Sequence, residues 1–393
     1  MKRDFGLAAI RLVLMRVLMF MRNGCSARAL AFGVIAGFSA AALPAEPGAS
    51  SVGTAVSPAT PQAAAWLAVP RAVGRITARD LGLVINTADA YSVAVGEAYV
   101  KARGLAPGQV LRLSLPVKPV LTLAEFEEFD ARVKAFFKPS VQALALAWTA
   151  PYAVDCNSIT SALTLGFDAS ACAAGCPRGT LSPYFNSATA RPFNELKLRP
   201  SMLLAAPDVA AAVALIKRGV AADRSLGWRG APPVNAYFVR TSDAARSVRY
   251  RLFPPPGLLS RLGVEVHVES ADSVRPADRV LLYETGLARV EGIADLGWVP
   301  GALADHLTSF GGQLQGAAAG QMPALDWIAA GATASYGTVS EPCNHLQKFP
   351  HPQLLLLHYL QGSSALEAYW KSVAWPQQGV FIGEPLAAPF ARR

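Results

Sequence analysis

The sequence predicts an α/β protein, with a mostly parallel sheet, helices on both faces and an irregular region inserted partway along. Three observations predict it. Apolar runs of strand length recur along the chain, helical stretches alternate with them, and several runs end in polar turns flanked by glycine. With 393 residues, 52% of them hydrophobic, there is enough chain to bury a large core.

The elements follow in order. Residues 29–45, ALAFGVIAGFSAAALPA, form an apolar run of signal-peptide length that ends in small residues. Met21 would give this run a compact basic leader, so residues 1–45 read as an export signal whose true start is Met21. An uncleaved anchor is the alternative, although the run is short for a membrane span. Residues 46–64 are rich in Ala, Ser, Pro and Gly and read as a disordered spacer. A first α/β lobe is expected over 65–156. Leu81–Asn86 is a strand, and a helix follows with Ser92 as N-cap, Gly104 as stop, and Val93, Tyr99 and Val100 facing inward. Val110–Pro116 alternates as a strand does. Thr122, with Glu125 three residues later, opens a second helix through a capping box. A buried strand starts at Ala143. Residues 157–199 lack periodicity and read as the insertion. From 200 to 391 regularity returns as a second lobe continuous with the first sheet. Its elements are SMLLAA, an Ala-rich helix, the strand PVNAYFVRT, a helix running through Leu262, the strands VEVHVES and VLLYETG, a helix from Pro352 to Ser372, and the strand GVFIGEP.

Charge and cysteine content narrow the function classes. The formal charge is +9, and loss of residues 1–45, with six basic residues and Asp4, lowers it by five to +4. No basic run interleaved with aromatics occurs, so nucleic acid is set aside as a partner. Neither a G-x-G-x-x-G nor a phosphate-binding loop is present, and no cofactor is expected. Membrane contact is expected only through the export signal. Four cysteines follow that signal, Cys156, Cys172, Cys176 and Cys343. An even number in an exported chain reads as two disulfides with three possible pairings. A zinc site built on Cys172, Cys176, Cys343 and His345 is the competing reading.

Chemistry-bearing side chains crowd into two loops. GALADHLTSFGG places Asp305, His306, Thr308 and Ser309 together, and strand alternation sends Asp305 and Ser309 one way and His306 the other. Gly311 and Gly312 offer backbone N–H groups for an anion. The segment GTVSEPCNH supplies Glu341, Cys343 and His345, where a free Cys343 beside His345 would be a nucleophile and a bridged Cys343 a staple. Asn86, Asp89 and Ser92 sit at a strand-to-helix junction of the kind that binds anions, with helix capping as the plainer role. Glu284 and Thr285 end another apolar strand.

The segments VINTADAYSVAVGEAYVKARGLAPGQVL, ADHLTSFGG, AGATASYGTVSEPC, ALEAYWKSV and FIGEPLAAPF resemble an uncharacterised family of exported bacterial proteins, from about residue 80 to 391. The carboxyl half is similar to the caspase-like fold of gingipain-type cysteine peptidases. That resemblance implies a caspase-like sheet, with VLLYETG as the strand that carries a catalytic His-Gly and GALADHLTS as the strand that carries the catalytic Cys. Here Thr285-Gly286 stands at the first position and Ser309 or a neighbour near the second, so the peptidase dyad is not carried over. Two functions are therefore expected of an exported protein, periplasmic or secreted. One is a hydrolase-like enzyme using the 305–309 and 341–345 loops. The other is a non-catalytic binding or envelope-assembly protein, with a small molecule or a protein as ligand.

Overall fold

In the computed structural model, which describes residues 65–316 and 320–392, the apolar runs build one sheet of eleven strands. Its strands are β1 (Leu81–Asn86), β2 (Val110–Leu113), β4 (Ala143–Leu146), β7 (Ser201–Leu203), β8 (Val234–Arg240), β9 (Gly257–Leu259), β10 (Val264–Ser270), β11 (Val280–Thr285), β12 (Trp298–His306), β13 (Ala334–Thr338) and β14 (Gly379–Gly383). A small second sheet joins β3 (Val120–Leu121), β5 (Ala153–Val154) and β6 (Asn157–Ser158). Strands such as β1, β4 and β11 are buried at every position, as they must be when neighbours flank both edges and both faces are covered. The export signal and the spacer lie outside the described residues.

The strand order is β2-β1-β4-β7-β14-β13-β12-β11-β8-β10-β9. Every pairing in the first five strands is parallel, and so is every pairing from β13 to β10. Between them β13 and β14 pair antiparallel from Ala334↔Gly383 to Thr338↔Gly379. The two halves therefore run in opposite directions, and their carboxyl ends open on opposite edges of the sheet. Periodicity carries no information about strand direction, so this seam is not visible in the sequence.

The helices are α1 (Ala90–Arg103), α2 (Leu123–Phe136), α3 (Ile159–Leu165), α4 (Pro192–Leu196), α5 (Val209–Ala222), α6 (Leu325–Ala330), α7 (Pro352–Leu360) and α8 (Ala365–Ser372). Successive residues of β12 show that both faces are covered. Asp305 points to the side where Arg249 lies, while His306 meets Trp327 of α6 on the other. Some expected elements differ. Asp89, not Ser92, caps α1, since its carboxylate accepts from the Tyr91 N–H. Ser92 is buried and accepts from the Asn86 N–H. Val93 is exposed, and the inward face is made by Val95, Gly96 and Tyr99. The helix expected through Leu262 is a 3-10 turn, Ser247–Leu252, followed by β9, because Pro254-Pro255-Pro256 supplies no N–H groups. The helix expected over Pro352 to Ser372 is two helices. Gly362, at φ 96°, breaks it, and Ser364 with Glu367 forms a new capping box that starts α8.

Glu384, just beyond β14, locks the seam strand to two helices. Its buried carboxylate takes Arg103 Nη2 at 2.7 Å, Arg103 Nε at 2.9 Å and the Tyr99 hydroxyl at 2.8 Å, all from α1. Arg103 also reaches Asp223, at the end of α5, at 2.6 Å. Removing one member leaves the other charges buried without partners. Glu384→Ala is expected to cost about 3–5 kcal/mol, read as a lower denaturant midpoint. A loss below about 1 kcal/mol would mean that Arg103 finds water or Asp223 sufficient.

Candidate active site

A cleft of about 430 Å³ opens beyond the carboxyl end of β12. Arg246, Leu307, Thr308, Ser309, Glu341, Asn344 and the Cys176–Cys343 disulfide line it. The loop after β8 brings Arg246 there. Asp243 caps this loop by accepting from the Ala245 and Arg246 N–H groups, and its carboxylate holds Arg246 Nη1 at 2.8 Å. Arg246 Nε donates to Thr308 Oγ1 at 3.2 Å, and that hydroxyl donates onward to Gln321 Oε1 at 2.7 Å. Gly286 is required here. A Cβ at that position would lie 1.9 Å from the Arg246 carbonyl oxygen, so only glycine lets the β8 loop close over the end of β11.

One guanidinium, that of Arg249, lies beneath the cleft and is fully buried. Its Nη1 is 2.6 Å from Asp305 Oδ1 and 3.3 Å from Glu284 Oε1, and its Nη2 donates to the Thr285 carbonyl at 2.7 Å. The parallel register sets Glu284 of β11 directly beside Asp305 of β12, so two carboxyl groups share one cation. Burial pushes the Glu284 carboxyl well above the usual carboxylate range, Arg249 opposes the shift, and Asp305 adds to it. Burial also raises Asp305. Burial thus biases both carboxyl groups toward their protonated forms, while Arg249 favours the charged ones.

His306, expected as a base, lies on the other face. Trp327 Nε1–H donates to its Nδ1 at 2.9 Å, which leaves Nε2–H to donate to the Met322 carbonyl at 3.0 Å. Burial pushes its pKa down to about 3, so the ring is neutral with both nitrogens committed. Among the described residues, no hydrogen bond joins it to Ser309, and no histidine lines the cleft. His345 faces away, with its ring edge-on to Trp375 and Nε2 at 3.2 Å from the Cys176 carbonyl oxygen. Glu341 turns back to accept from the Cys343 N–H. The Gly312 N–H, expected to be open to an anion, donates to the Thr338 carbonyl.

The four cysteines pair as Cys156–Cys172 and Cys176–Cys343. Both bridges consume the thiols that a zinc site or a Cys343 nucleophile would need, and they mark a chain that matures in an oxidising compartment. Among the described residues, no helix is long and apolar enough to cross a membrane. The junction residues of the first half serve structure and lie on the opposite sheet edge. Asn86 holds the backbone of Leu115 through two hydrogen bonds, and Asp89 caps α1. Thr285 contributes its carbonyl to Arg249. The sequence reading missed Arg246, Arg249, Gln321 and Trp327. Two arginines three apart in RSVRYR were the one local signal for the first pair.

No protein-family model and no curated protein matches the chain, so the expected kinship with a family of exported bacterial proteins finds no support there. A search of solved structures returns a crystal structure of the Arg-specific cysteine proteinase gingipain R. It is 10% identical, with a TM-score of 0.37, over 79% of this chain and 78% of that one. A likeness this distant carries nothing about activity.

Two groups of buried acids and bases give opposite pH dependences. Glu284, with its raised folded pKa, contributes stability that is complete below the ordinary carboxylate range. That stability is lost as pH rises toward the folded value, by about 1.4 kcal/mol per unit. Glu284→Gln keeps the neutral form at every pH, so the variant should gain on the parent by about that slope as pH rises above ~5 in denaturant titrations. A constant difference would show that Glu284 is ionised in the folded protein. His306 and His358, each pushed by burial to about 3, act in the other direction. Their stability is present above the unfolded value of about 6.5 and is lost as pH falls below it. Stability read from denaturant midpoints should therefore start to fall near pH 6 on acidification, above the range where most carboxylates titrate.

Proposed function

We propose that the chain is an exported binding protein that takes a polar, peptide-sized ligand in the cleft beyond β12 and does not cleave it. One observation carries this reading: the histidines and the cysteine that would supply a base or nucleophile there are already committed. His306 is sealed between Trp327 and Met322, His345 turns to Cys176, and Cys343 is bonded to Cys176. The cleft lining instead mixes donors and acceptors. The Arg246 guanidinium, the Ser309 hydroxyl, the Glu341 carboxylate and the Asn344 amide match the alternating polarity of a peptide backbone. A volume near 430 Å³ suits two or three residues.

The hydrolase-like alternative rests on Ser309, whose side chain reaches the cleft. A fluorophosphonate probe separates the two readings, because it labels only an activated serine. The intact protein should remain unlabelled, whereas labelling that Ser309→Ala abolishes would establish the enzyme. In calorimetric titration with a short peptide library, at least one tripeptide should bind. Arg246→Ala should weaken that binding about tenfold or more with little change in thermal stability. A library with no binder, or binding indifferent to Arg246, would overturn the assignment.

A further inference from the structure

A second cleft, of about 720 Å³, lies on the other side of the 241–247 loop, over the carboxyl ends of β8 and β10. Its floor is rigid. The buried Thr241 and Ser247 hydroxyls lie 2.7 Å apart, and Thr241 Oγ1 is 2.6 Å from the Gly286 carbonyl oxygen. Arg240 and Arg251 flank the exposed ring of Tyr250, with their guanidinium carbons 4.3 Å and 5.7 Å from its centre. Among the described residues neither arginine forms a salt bridge. Asp272 is the one carboxylate in the lining, and it accepts from the Ser242 N–H and hydroxyl at 2.8 and 2.9 Å.

We infer that this second cleft is a binding site for an organic oxyanion, a ligand that carries a carboxylate or phosphate group. The Tyr250 ring lies within cation–π distance of the Arg240 guanidinium and leaves it without a salt-bridge partner, which suits capture of an oxyanion. Two such cations on one aromatic side chain, neither in a salt bridge, are poised to share an anion. Seryl hydroxyls of Ser242 and Ser270 on the rim suit the polar remainder of such a ligand. The site is separate from the peptide cleft, since the two linings share no residue.

The experiment is calorimetric titration of the full chain at low ionic strength with inorganic phosphate, glucuronate and glucose. Phosphate or glucuronate should bind while neutral glucose does not, and the tighter of the two anions names the group preferred. Arg240→Gln combined with Arg251→Gln should lower that affinity at least ~10-fold, and Tyr250→Phe, which keeps the ring, should retain it. Arg261→Gln, an exposed arginine outside the cleft, should change nothing. A second readout comes from Tyr250, whose hydroxyl is held below the usual tyrosine range by the hydrogen bond from Arg251. An anion seated on the arginines should raise it, delaying the first rise in tyrosinate absorbance during alkaline titration. Absence of binding by both anions, or binding that survives loss of both arginines, would overturn the inference.

Discussion

Arg249 is the constraint on which the carboxyl half of this protein is built. A guanidinium cannot shed its charge when buried, so its environment must supply compensation from several chain segments at once. Here β11 supplies Glu284 and the Thr285 carbonyl, β12 supplies Asp305, and the segment before α7 supplies the Pro350 carbonyl. The loop that carries Arg249 also carries Arg246 into one cleft and Tyr250 into the other. The floor and walls of both clefts are thus tied to one buried cation. Without it, Glu284 and Asp305 would lie buried side by side in register with no cation to share.

Much of the fold is legible in the sequence because buried parallel strands are continuous apolar runs. β1, β8, β11 and β14 each coincide with such a run, β10 alternates as a half-buried strand does, and Thr122 with Glu125 announces α2 by local chemistry alone. What is illegible depends on partners remote in the chain. His306 looks like a base until Trp327, 21 residues on, is seen donating to it. Glu284 and Asp305 are visible as acids at strand ends, but the cation between them sits in a stretch whose prolines rule out the helix expected there. The parity of the cysteines indicates two bridges, whereas their pairing follows from how the insertion folds back on the 339–345 loop.

The clefts illustrate how a sheet edge divides labour. Loops beyond β8, β11 and β12 converge on one edge, where Gly286 lets a single loop pass close to the sheet and separate two polar depressions. One is stapled by a disulfide and mixed in polarity. The other is open, bounded by serines, and dominated by two uncompensated arginines. Opposite strand directions in the two halves keep the Asn86 junction away from this edge, so its polar side chains are free to serve as caps and braces.

The position of β14 has a consequence for how the protein is made. In sequence it follows every other strand of the sheet, yet in space it lies between β7 and β13 and joins the two halves of the sheet. A chain folding as it is made can pair β1, β2, β4 and β7 early, but those strands wait with an open edge until residues 379–383 arrive. The sheet then closes in one late step, with Glu384 clasping Arg103 as it does so. Until then the edge of β7 that β14 will cover stays unpaired.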